Sequence, residues 1–327
     1  MDRRNFVKMG AIGMVGAMKT KEKSGSYRQD EQKETPEGMR ANSSGDYPRV
    51  FFHCHCFPPN PERFPLDQST GFYPGSIEYL CAFISRLGFD YATAISPFEV
   101  PPGRCTSRID KDADGLAWLE EQAGGRDEIL LFASLDPGSK KSGERLTYAH
   151  ERGFAGVKFH PVICRFSIDA ERDRQFYQLL ADYRMPLLIH TGVFSSGEPW
   201  PLAEYHPLRI DRLANLFPDI PIIFAHGGGR AFCREVLGVL QANPNTYLDL
   251  THSLDSKYAW HIPRSDMEAF FDRLGPSRII YGTDFPWFAA DDFSRDLAYL
   301  KKMGLNQKDL NLVLGGTFMQ IIAKSSK

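Results

Sequence analysis

Eight short apolar runs, each followed by a stretch of different character, constrain this chain more than any other feature. They fall at residues 49–55, 91–96, 129–135, 154–160, 186–190, 221–226, 246–250 and 279–284. Each is largely apolar and is bounded by Gly, Pro or polar residues. Strands buried on both faces read in this way. Helical patterns lie between them, the clearest at 75–87, 142–152, 170–183, 211–217, 229–242, 267–274 and 294–303. Strand and helix alternating eight times predict an α/β fold, a (β/α)8 TIM barrel, because right-handed parallel crossovers close naturally into that ring. An extra C-terminal helix is expected over 307–322. A doubly wound open sheet is the alternative, but no Gly-rich phosphate loop follows the first strand.

Length and charge agree with one large domain. The chain has 327 residues, 42% hydrophobic and 24% charged, with a net charge of -2. Barrels of roughly 250 residues fold as one unit. No basic block of a nucleic-acid footprint is present, and no run of about 18 apolar residues that would span a membrane. The six cysteines, Cys54, Cys56, Cys81, Cys105, Cys164 and Cys233, form no CxxC pair. They read as small buried hydrophobes, not as a disulfide framework.

The N-terminus stands apart from this domain. Arg3-Arg4-Asn5-Phe6-Val7-Lys8 resembles a twin-arginine signal, and a short apolar stretch with small residues follows it, so 1–18 is expected to direct export to the periplasm. A basic start on a cytoplasmic protein is the alternative. Residues 19–46 carry almost no large apolar side chain and are expected to be a disordered linker. The folded domain is then 47–327.

His and Asp residues collect at the C-terminal ends of the predicted strands: His53 and His55, His190, His226, and Asp284. That rim is where α/β barrels assemble their chemistry. His53 and His55 are two apart on a strand, so a regular pleat turns both to one face and Cys54 to the other. With His190 and Asp284 they form three neutral imidazoles and a carboxylate, a donor set for a borderline divalent ion such as zinc. His226, before three glycines, is either a fifth ligand or a general acid/base; with four ligands elsewhere, the second role is preferred. Lys158 and His160 alternate onto one face of the fourth strand. Lys158 either binds a substrate carboxylate, or becomes carboxylated and bridges a second metal, or caps the barrel against an acid. Arg230, His252 and Trp287 are further candidates for substrate contact, with solvated helix start or loop packing as the plainer reading of each.

The ordered set His53-x-His55, Gly156-Val-Lys-Phe-His-Pro161, His190-Thr-Gly, His226-Gly-Gly and Gly282-Thr-Asp-Phe-Pro286 resembles the amidohydrolase-related family, which includes aminocarboxymuconate-semialdehyde decarboxylase and relatives. Leu314-Gly-Gly-Thr-Phe-Met-Gln-Ile-Ile322 is similar to the family's closing helix, with Thr317 and Phe318 departing from its usual Asn-Ala. The resemblance implies one divalent metal, zinc first and manganese or another ion as alternatives, on His53, His55, His190 and Asp284. It implies Asp284 and His226 as the proton-transferring residues. Two reactions use these residues equally: hydrolysis of a small ester, lactone or amide by metal-activated water, and nonoxidative decarboxylation of an unsaturated or aromatic acid. A third reading, a catalytically inactive exported metal- or ligand-binding barrel, would show degraded motifs, and none is degraded. The expected partner is a small molecule, a carboxylate among the candidates. The long loop 57–75, rich in Pro and aromatics, serves either as a wall over the site or as the contact of a homodimer.

Overall fold

Nine parallel strand segments follow one another around a nearly closed barrel: β1 (Val50–His55), β2 (Tyr91–Ile95), β3 (Ile129–Ser134), β4 (Gly156–Phe159), β5 (Leu187–His190), β6 (Ile222–Ala225), β7 (Thr246–Asp249), β8 (Ile279–Ile280) and β9 (Gly282–Phe285). Each pairs with its sequence neighbour, β8 with β7 and β9 with β1. β8 and β9 are the predicted eighth strand, interrupted at Tyr281, whose N–H leaves the ladder and donates to Val313 O at 2.8 Å. The structure, a computed structural model, describes residues 47–194 and 200–325. The twin-arginine-like segment 1–18 and the linker 19–46 lie outside them.

Among the described residues, eight helices cover the outside of the barrel: α1 (Ile77–Leu87), α2 (Gly115–Ala123), α3 (Ser142–Glu151), α4 (Arg174–Asp182), α5 (Pro207–Leu216), α6 (Gly229–Ala242), α7 (Arg264–Leu274) and α8 (Ala290–Lys302). The sequence pattern does not mark α2, because its buried face is carried by Gly115, Leu116, Leu119 and Ala123, only two of them large and apolar. Its ends define it instead: Asp114 accepts from the N–H groups of Leu116 and Ala117, and Gly124 stops it in the left-handed region. α5 and α8 begin four residues earlier than their apolar periodicity suggests. Among the described residues, no helix is long and apolar enough to cross a membrane.

Two apolar layers follow from the strand pattern. One lies between strands and helices and takes Phe51, Ile189, Phe224 and Leu248. The other fills the barrel and takes Val50, Phe52, Phe132, Leu188, Ile223 and Ile280. The final helix, α9 (Thr317–Ser325), adds Phe318, Met319, Ile321 and Ile322 to the interior layer. It closes the floor, opposite the strand ends that carry the histidines. The continuous helix expected over 307–322 is broken at Leu312–Gly316. The cause is close approach: a Cβ on Gly315 would lie 2.1 Å from Pro48 O.

Candidate active site

The strand ends converge on a cavity of about 460 Å³ lined by His53, His55, Lys158, His160, His190, His226, His252, Asp284 and Trp287 among others. Nine of the ten candidate residues thus meet in one place. The tenth, Arg230, is exposed on the first turn of α6 and is not among the lining residues. Phe288, next to Trp287, packs into the outer core against Phe51 with ring centroids 5.8 Å apart.

A bulge, not a regular pleat, brings His53 and His55 together. Phe52 faces the barrel interior, and parity would send His53 outward. The pairing register shifts on both sides of β1 at this point, and His53 takes φ 62°. Its N–H finds Thr93 Oγ1 at 2.9 Å. Phe52 and His53 therefore both face inward, while Cys54 joins the outer core. Among the described residues, six non-glycines have positive φ, and four are His53, His226, His252 and Asp284. Such conformations cost on the order of 1–3 kcal/mol each and persist where surrounding structure imposes them.

The donor atoms of His53, His55 and Asp284 lie within 4.8 Å of one another. His55 Nε2 is 3.3 Å, and His53 Nε2 3.7 Å, from Asp284 Oδ1. His252 Nδ1 stands 3.4 Å from the other oxygen, Oδ2. His190 lines the same cavity but is not in this tight group. Burial lowers the proton affinity of His53, His55, His226 and His252, and takes His190 down to about 3. All are therefore neutral. Burial alone would raise Asp284, but the His55 hydrogen bond and the surrounding imidazoles outweigh it and keep it ionised. Neutral imidazoles around one carboxylate, all buried, form a donor set that fits a divalent ion. Two buried nitrogens without a hydrogen-bond partner among the described residues, His55 Nδ1 and His252 Nε2, add to the fit as orphaned polar atoms that a bound group would satisfy.

Backbone carbonyls and one carboxylate fix the tautomers, since a carbonyl can only accept. His226 Nδ1 donates to Thr251 O at 3.1 Å, so Nε2 carries the lone pair. His190 Nε2 donates to Gly192 O at 2.9 Å, so Nδ1 is its free donor atom. His160 Nδ1 accepts from Ile163 N–H, which leaves Nε2–H as a donor. His160 stacks on His190 with centroids 4.0 Å apart, and His226 stacks on Trp260 at the same separation.

Asp249, at the end of β7, went unrecognised in sequence. It accepts from His53 Nδ1 at 2.6 Å, which turns the Nε2 lone pair toward the site. Thr251 holds the other carboxylate oxygen through its hydroxyl and N–H, at 2.6 and 3.0 Å. Burial pushes the Asp249 carboxyl up to about 7. Gly282 makes room: a Cβ there would lie 2.1 Å from both Asp249 Oδ1 and Thr251 Oγ1. The available signal was position, an acid ending a barrel strand like Asp284. Lys158, fully buried, places Nζ 2.9 Å from His53 Nε2, and burial takes it down to about 8 despite Asp284 and Asp249. It sits inside the donor group, with Asp284 and Asp249 both acting on its charge.

The amidohydrolase family profile matches residues 50–317, and the chain belongs to that family, a family of enzymes. No curated protein matches it. Among solved structures, an uncharacterized TIM-barrel protein from Bordetella bronchiseptica is 17% identical with a TM-score of 0.64, over 85% of this chain and 99% of that one. A 2,6-dihydroxybenzoate decarboxylase from Rhizobium is 14% identical with a TM-score of 0.60, over 84% and 98%. A probable 2-pyrone-4,6-dicarboxylic acid hydrolase from Acinetobacter baumannii is 12% identical with a TM-score of 0.56, again over 84% and 98%. At these identities the likeness is one of fold.

Proposed function

We propose that this chain hydrolyses a small, planar ester, lactone or amide with the help of one divalent ion, zinc suiting the donors best. His53 Nε2, His55, His190 Nδ1 and Asp284 would hold it. When bound, the ion supplies Lewis acidity, which lowers the pKa of a water toward neutrality and polarises a carbonyl. The observation that carries the reading is the ionised Asp284 carboxylate, in contact with His55 on one oxygen and His252 on the other. It is placed to take a proton from water and return it to the leaving group. His226 presents a lone pair at Nε2, so it enters as a base and becomes an acid only after taking a proton. His160 offers Nε2–H as a donor to substrate oxygen. The rings of Phe98, Trp260 and Trp287 give the cavity flat apolar walls that suit a planar substrate. A second ion would require Lys158 to be carboxylated, and its place 2.9 Å from His53 Nε2 is the one feature that supports this.

Decarboxylation is the second reading, favoured by the cations in the cavity. Arg63, Lys158 and Lys257 line it against the single carboxylate Asp284. In that case His226 Nε2 would first take a proton from solvent water and then deliver it to the carbon that loses carbon dioxide.

The zinc-loaded protein is to be screened on aryl esters, lactones and amides, and separately on aromatic and dienoic acids with detection of carbon dioxide. Hydrolysis is expected, with Asp284→Asn lowering it by about 10²–10⁴-fold, the range for loss of general acid–base catalysis. Turnover that survives Asp284→Asn would sink the assignment. Release of carbon dioxide without hydrolysis would transfer the same residues to the second reading.

A further inference from the structure

We infer that Asp292, behind the cavity wall on the first turn of α8, is a positioning residue: through Tyr258 it sets how His252 meets Asp284. The inference rests on the reading above only for what Asp284 does in turnover.

Asp292 is 2% exposed, and donors face both of its oxygens. Oδ2 accepts from Tyr258 Oη and from Ala289 N–H, each at 2.7 Å. Oδ1 accepts from Lys257 Nζ and from the Arg295 guanidinium. Burial alone would raise the carboxyl, but the Lys257 and Tyr258 bonds outweigh it and hold it below its ordinary range. The start of a helix also favours negative charge. Asp292 thereby ties the loop after β7, which carries Lys257 and Tyr258, to the helix that follows β9 and Asp284.

Tyr258 passes that constraint into the cavity, which it lines. Its ring lies flat on His252, with centroids 3.7 Å apart and planes 13° apart. A stack fixes the plane of a ring but lets it slide. The hydrogen bond at the far end of the phenol removes that freedom. Tyr258 Oη also stands 3.4 Å from Trp287 O, but it has one proton, and the shorter contact to Asp292 takes it. His252 depends on this support. Its φ of 56° is imposed by its surroundings, and its Nε2 has no hydrogen-bond partner among the described residues. Asp284 turns Oδ1 toward His53 and His55, and Oδ2 toward His252. A shift of His252 would let that carboxylate rotate. The division between an oxygen facing the ligand histidines and an oxygen left for proton transfer would then be lost.

The test follows the His252 ring by NMR of histidine-labelled, zinc-loaded protein, and needs no substrate. Ring protons over the Tyr258 face are shifted upfield. Tyr258→Leu marks the unstacked position, and His252→Asn assigns the signal. Tyr258→Phe keeps the ring but cuts the tether, and Asp292→Ala cuts it from the other side. Both are expected to move the His252 signal toward the Tyr258→Leu position, with those of His160 and His226 in place. Asp292→Asn is expected to stay near wild type. Its NH2 can turn to the half-exposed Lys257 and Arg295, which water can satisfy, while the amide oxygen keeps Tyr258 and Ala289. In turnover, Tyr258→Phe is expected to lower kcat by about 10–100-fold with KM little changed, the scale of a small misplacement of a reacting group.

A His252 signal unmoved in Tyr258→Phe overturns the proposal, and this variant decides even where Asp292→Ala does not fold. Equal movement of all the histidine signals overturns it too, because that is general loosening. So does an Asp292→Asn protein whose His252 signal moves as in Tyr258→Phe, which would make charge and not the Tyr258 bond the cause. An unchanged kcat in Tyr258→Phe, where Asp284→Asn abolishes turnover, also overturns it. If Asp284→Asn itself leaves turnover intact, the reaction assignment falls, and the His252 signals alone decide the positioning.

Discussion

Asp249 acts through another residue. Its carboxylate fixes the Nδ1–H tautomer of His53, and with it the direction of the Nε2 lone pair. Partners of this kind typically contribute 10–100-fold to metal affinity. Asp249→Asn is therefore expected to weaken zinc binding by about that factor, because the amide NH2 would face either the His53 N–H or the Thr251 donors, both donor against donor. Competition with a chelator of known affinity measures it, and unchanged affinity would remove Asp249 from the site. The three carbonyl- or amide-anchored imidazoles, His160, His190 and His226, obey the same logic through neutral partners. These assignments explain why the cluster is chemically differentiated although every member is buried and neutral.

Elements set where those residues stand. The bulge in β1 turns two successive residues, Phe52 and His53, into the barrel, so the floor and the site share one strand. Phe52 meets Phe318 of α9 at 4.8 Å and Phe132 at 5.8 Å, which links the closing helix to the strand that carries the histidines. Phe318 is fully buried. Phe318→Ala is expected to cost about 3–5 kcal/mol, the usual range for deleting a buried aromatic ring. Denaturant unfolding of the metal-free protein checks this. A loss below about 1 kcal/mol would mean that α9 packs loosely and does not close the floor.

For the whole molecule, a metal held as proposed by His53, His55, His190 and Asp284 would tie together β1, β5 and β9, strands far apart in sequence. Such an ion binds the folded chain and not the unfolded one, so it stabilises by mass action, about 2.7 kcal/mol at a free concentration one hundred times Kd. A domain of this size gains on the order of 2 °C per kcal/mol. Zinc is accordingly expected to raise Tm by several degrees over chelator-treated protein, and His53→Ala to abolish most of the increase. An equal increase in His53→Ala would place the ion elsewhere. The cavity itself is a property of this scale, since its walls come from loops after at least five different strands.

The eight-fold alternation, the barrel it implies and the ring of His53, His55, His190, His226 and Asp284 were legible in sequence because they depend on local periodicity. A strand buried on both faces has one pattern, and its end is marked by the first polar residue. The chain alone could not show contacts between residues distant in sequence. Asp249 reaches His53 across 196 positions; Trp260 and Arg63 reach the cavity from loops whose paths no period encodes. Arg230 follows three glycines as a ligand-binding residue would, yet the start of α6 leaves it exposed. The closing of the barrel decided the rest: it makes these imidazoles harder to protonate, sets them around Asp284 so that it stays ionised against its own burial, and brings Lys158 to rest against His53.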